Sequence, residues 1–195
     1  MKNAIGGIAV IFGLIIAPLS LRATATSNFV ISEIMPASID SASQEYIQIS
    51  SLSSYPIDIT GWRLEYFSAT SKDLDTPSRT IKLSGSVAGV GDYILATTGY
   101  MTNEANASFS PTLSSTGGHL RLVNNSLQIL DTVGWGNASL PEGTAAEAPL
   151  KSEILERNKN QKGTYIDTDN NASDFANDTL SLESLNNVSK DSIII

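Results

Sequence analysis

The chain has no cysteine at all. Disulfide staples, thiol catalysis and cysteine-based zinc or iron–sulfur centres are therefore excluded. Basic clusters are missing as well: 12 Lys and Arg residues are scattered singly against 20 Asp and Glu, for a formal charge of −8. A protein that grips nucleic acid by neutralising phosphates needs a basic patch. The acidic balance argues against DNA or anionic lipid as the main partner and suits a soluble, exported protein. No G-x-S-x-G elbow, H-E-x-x-H helix or phosphate-binding glycine loop occurs in the sequence. A sustained helical period is also absent.

What is present begins with a targeting pattern. Lys2 supplies a positive start, Ala4 to Leu19 is almost wholly apolar, and Ala23-Thr24-Ala25 closes with small residues. That order reads as a secretory signal peptide over residues 1–25, cleaved after Ala25. The competing reading is an uncleaved membrane anchor, because the apolar run is close to the shortest length that spans a bilayer. The remaining residues are enough for one sandwich-sized core without disulfides.

From Phe29 the chain alternates apolar and polar residues in short runs. Phe29–Met35, Tyr46–Ser50, Trp62–Phe67, Arg79–Leu83, Tyr93–Thr97, His119–Val123 and Leu127–Trp135 all read as strands. Lys151–Arg157 reads as a last strand rather than a helical turn. Pro56 and Thr60-Gly61 mark tight connections, and Thr98 to Thr116 is rich in turn residues and reads as a surface excursion. From Asp167 the chain is acidic and Asn-rich and reads as leaving the core, with residues 176–195 as a polar tail. Short strands with regular turn signals point to an all-β antiparallel sandwich.

The blocks Ile31–Pro36, Glu45–Ile49, Ile57–Leu64, Gly117–Leu122, Ile129–Gly136 and Asp167–Phe175 occur in an order that resembles the lamin-tail domain family. The resemblance covers Phe29 to Phe175 and is carried most by the two Gly-Trp segments and the aspartate-rich close. It implies an immunoglobulin-like β-sandwich over residues 26–175, without catalytic residues to transfer. Bacterial members are exported and sit as accessory modules beside hydrolases, nucleases or adhesive domains. Nuclear members belong to coiled-coil filament proteins and can bind chromatin. This chain has no heptad rod and no basic patch, so filament formation and DNA binding do not carry over.

Candidate sites are few. Trp62 is in phase with Leu64 and Tyr66 and reads as core, and Trp135, between glycines, reads as core or as a recognition aromatic. His119, the only histidine, is in phase with Arg121 and reads as part of a solvated strand face. Asp167, Asp169 and Asn171 place oxygen ligands at alternating positions that would suit calcium, with Asp174 close by as a fourth candidate. However, Ala172 stands where a calcium loop needs glycine and Asp178 where it needs glutamate. The alternative is an Asx-rich turn capping a short helix near Ser173. Asn106-Ala107-Ser108 and Asn137-Ala138-Ser139 match the N-glycosylation pattern. The expectation is a non-enzymatic, secreted or cell-surface interaction or structural module. It has no catalytic residue, cofactor or assigned metal, and its partner is a protein or envelope component, with membrane contact only through an uncleaved N-terminal segment. The alternatives are an accessory binding domain for a secreted hydrolase or nuclease, and a calcium-dependent adhesion module.

Overall fold

In a computed structural model of the chain, residues 27–179 are described. The expected signal peptide, residues 1–25, lies outside them, as do the last 16 residues of the expected tail. The strands run as β1 Phe29–Met35, β2 Tyr46–Ser51, β3 Ile57–Asp58, β4 Arg63–Ser68, β5 Arg79–Lys82 and β6 Ser86–Val87. They continue as β7 Asp92–Thr97, β8 Ala107–Phe109, β9 Gly117–Val123, β10 Ile129–Gly136 and β11 Glu153–Arg157. One helical turn, α1 Asn171–Asp174, precedes β12 Phe175–Thr179.

Two sheets form the sandwich. One is ordered β12-β11-β1-β2-β7-β8, the other β10-β9-β4-β5, with a small β3-β6 ladder beside them. Every pairing is antiparallel except β7 with β8. The period-2 pattern accounts for the layers: Ile47 and Ile49, Leu64 and Tyr66, Tyr93 and Leu95, Leu120 and Leu122, and Val133 and Trp135 all point into one core. The two Gly-Trp segments close this core at its two ends. Trp62 meets the Phe29 ring edge-on at 4.8 Å, while Trp135 is fully buried beside Tyr66 and donates its indole N–H to the Ser114 carbonyl. Both tryptophans are therefore core residues. At Ile59-Thr60-Gly61-Trp62 the Trp62 N–H returns to the Ile59 carbonyl, and Gly61 takes φ +84. That is a type II turn, which requires glycine at its third position.

Two expectations change. The Thr98–Thr116 excursion is partly structural: it contains β8, sends Phe109 and Leu113 into the core, and lays Tyr100 and Met101 over the outer face of the larger sheet. The cause is Glu45, a buried carboxylate whose two oxygens accept the Thr112 and Leu113 amides at 2.8–3.1 Å. Burial raises its pKa, against the pull of those amides. The aspartate-rich close is also not a departure from the core, and the polar tail does not begin at residue 176. Asn171 and Asp174 are buried, and β12 continues to Thr179 along β11, supplying the ladder that edge would otherwise lack.

Replacing Glu45 with Ala leaves two amides without acceptors. A loss of about 1.5–3 kcal/mol is expected, with amide exchange at Thr112 and Leu113 accelerating more than in the β1–β2 ladder. Uniform acceleration across both sheets would contradict the local role given to Glu45.

Candidate functional site

The densest polar cluster lies between the two sheets, where β10, β11 and the α1 turn converge. Arg157 ends β11 in phase with Leu155, so its side chain is directed inward. Asp131 is in phase with Val133 and Trp135 on β10, just past a bulge that shifts the register. Their side chains are 0% and 1% exposed. Arg157 Nη2 donates to Asp131 Oδ2 at 2.7 Å and Oδ1 at 2.9 Å, Nε donates to the Ile31 carbonyl, and Nη1 donates to Asp167 and to the Ile166 carbonyl. The guanidinium also lies over the Phe175 ring at 4.5 Å. Asp131 Oδ2 accepts the Ile31 amide at 2.6 Å. Burial pushes the Asp131 pKa up to about 6 against the pull of Arg157. The pair holds β10, β1 and β11 together across the sandwich.

Two neighbours complete the arrangement. Asn171 Oδ1 accepts the Gly134 and Glu142 amides while its Nδ2 donates to the Thr132 carbonyl. Asp174 accepts the amide and hydroxyl of Thr168. Two of the four ligands expected for calcium are thus committed to backbone and hydroxyl donors, but not as a helix cap: Asn170 at the N-cap makes no side-chain cap bond, and the helical turn starts at Asn171 rather than near Ser173. Asp169 is exposed, with φ +55. Of the four expected ligands, Asp167 is the one that joins a carboxylate cluster, with Asp131 and Glu142, whose ligand oxygens all lie within 4.8 Å of one another. Such a triad could hold a cation, but Arg157 already places its charge on two of the three carboxylates. Glu142 is pushed up to about 8, first by burial and then by the negative charge of Asp131, Asp167 and Asp169. Arg157 offsets part of the negative charge of the cluster, and the raised pKa of Glu142 favours its neutral form.

His119 corrects another expectation. It is fully buried rather than on a solvated face. Its Nε2 accepts the Leu140 amide, so the proton sits on Nδ1, which faces the Ser68 carbonyl. Burial lowers its pKa. The neutral ring fastens the 137–149 loop to the end of β4, because Gly134 beside it leaves room for that loop to close over the sheet. Asn106 also has a structural role, accepting the Ile94 amide, whereas Asn137 is exposed. On the outer face of the larger sheet the Tyr46 hydroxyl lies 2.7 Å from both Glu33 and Gln48. Ser50 there contacts Ser32, Asp92 and Tyr165. Strand phase could have revealed Arg157 and Asp131, which alternate with apolar residues, but nothing local marks Glu45 or Glu142.

Two of the shifted groups, His119 and Glu142, tilt stability in opposite directions. The His119 contribution is complete above 6.5 and is lost as pH falls through its lowered folded value. That of Glu142 is complete below 4.5 and is lost as pH rises through about 8. Glu142→Gln is expected to flatten the alkaline limb of the melting temperature profile; an unchanged limb would place the proton elsewhere. Calcium at millimolar levels is expected to leave the melting temperature unmoved, and a saturable rise would show that a cation replaces the proton. Arg157→Ala, which strands buried carboxylates, is expected to cost about 3–5 kcal/mol in denaturant unfolding.

The Lamin Tail Domain family model matches residues 22–137 of this chain. The match takes in β1 to β10, with Asp131 and Glu45, and stops before Glu142, Arg157 and β12. No curated protein matches the chain.

Proposed function

The chain belongs to the lamin tail domain family, and from that premise we propose that it is a non-enzymatic, exported β-sandwich acting as an interaction or structural module at the cell surface. The observation that carries this reading is where its reactive side chains are placed. His119, Asp131, Arg157, Asp174 and Glu45 are all buried, and each makes hydrogen bonds to main-chain atoms or to one another. Groups committed in this way hold loops and sheets in place and are not presented to a substrate. The parts that vary most freely in a sandwich, its loops and edges, are left to recognise partners. The apolar N-terminal run supports export, and a core that needs no disulfide is compatible with it.

An impermeant amine reagent is expected to label this protein on intact cells, and crosslinking there is expected to capture an envelope protein. Labelling only after lysis would remove the surface reading. Retention on a polysaccharide or DNA column, with no envelope protein captured, would move the reading to an accessory domain that works beside a secreted hydrolase or nuclease.

A further inference from the structure

The register of the strands brings four exposed apolar residues to one end of the sandwich. Phe29 pairs with Ser51 and Ser50 with Asp92, so the β2–β3 and β6–β7 connections leave from the end where β1 begins. Val123 pairs with both Arg63 and Ile129, and Phe29 touches Trp62, so the β9–β10 hairpin projects from that same end. Its rim carries Tyr55 and Val90, each 76% exposed, with Leu127 at 69% and Ile129 at 54%. A single exposed apolar side chain needs no explanation, but a rim of them on separate loop tips does.

Two of these residues also sit on strained backbone. Val90 has φ +47 and Leu127 φ +63, the left-handed region where glycine or asparagine is at ease and a β-branched residue is not. Val90 is held there by its amide, which donates to the Ser53 carbonyl. Packing does not require these side chains, since both point to solvent. Stability is therefore given up twice at these tips, once in backbone strain and once in exposure.

The chain also enters the described domain at this end, at Ser27. In the sequence the apolar run Ala4–Leu19 precedes it, with only residues 20–26 between. Where that run stays uncleaved as an anchor, a segment that short keeps this end within about 25 Å of it. A second apolar pair, Ile39 and Leu150, lies at the opposite end, tied together by the Ser152 amide on the Ala37 carbonyl, and has no such proximity. The four side chains the rim presents carry no charge, so a contact made through them is apolar.

We infer that this end of the sandwich rests on a lipid surface, with Tyr55, Val90, Leu127 and Ile129 entering the headgroup boundary. A flat surface can meet tips carried on separate loops at once, which a small ligand cannot. Amphipathic and aliphatic tips gain by leaving water at that depth without spanning the bilayer. The inference rests on the export reading proposed above with the apolar run retained as an anchor, and it adds an orientation to that reading.

Because the chain lacks cysteine, Val90→Cys, Leu127→Cys, Ile39→Cys and Leu150→Cys each accept a single environment-sensitive fluorophore. The full chain is added to phosphatidylcholine vesicles carrying doxyl-labelled lipid, at low and at high salt. Labels at 90 and 127 are expected to shift to shorter wavelength and to be quenched at both salt concentrations, while labels at 39 and 150 keep their emission. Unchanged emission at 90 and 127, or the same response at all four sites, would overturn the orientation. Failure of surface labelling on intact cells would instead count against export, a result the vesicle measurement does not depend on.

Discussion

Arg157 is the cation around which the sandwich is organised. Its guanidinium reaches the Ile31 carbonyl in β1, Asp131 in β10 and Asp167 in the segment before α1, while its plane covers Phe175 at the start of β12. A buried charge is tolerated only where its hydrogen bonds are met. Meeting them requires β10 to sit opposite β1 and the chain beyond β11 to fold back, so the last strand and the turn before it follow from one side chain. The geometry of the ion pair thus sets how the two sheets face each other, a relation that non-directional apolar burial leaves loose.

Around that centre the protein places carboxylates where loops must be held. Glu45 gathers two amides of the 98–116 excursion, Asp174 the Thr168 amide and hydroxyl, and the Asn171 amide group ties Gly134 and Glu142 together. Each has the same physical logic. A connection rich in small and polar residues has too little apolar surface to order itself, and a buried acceptor for its backbone donors does so instead. Such groups resemble catalytic or metal-binding residues when taken one at a time. Their partners show that each of them orders backbone in this fold.

Much of the fold was legible beforehand. Alternation placed Ile47 with Ile49, Leu64 with Tyr66 and Leu120 with Leu122 on one buried face, and Thr60-Gly61 marked a turn that uses glycine for its positive φ. What composition and phase leave open is of one kind. Strand phase tells which side His119 occupies, not whether a loop closes over that side. The excursion and the aspartate-rich close are polar in composition, while the acceptors that order them lie far away in sequence.

The sequence by itself determined the all-β class, the family and the inward face of Trp62, because these depend on local period and on turn residues whose backbone demands are intrinsic. Only the tertiary structure decided which charged groups are gathered together. Asp131, Glu142, Arg157 and Asp167 are brought to one place by sheet pairing and loop closure, and their charge states depend on distances between them that no local pattern encodes. The same reasoning applies to the loop tips. Tyr55, Val90 and Leu127 are unremarkable in the chain and share one end of the molecule only because antiparallel register brings their strand ends together.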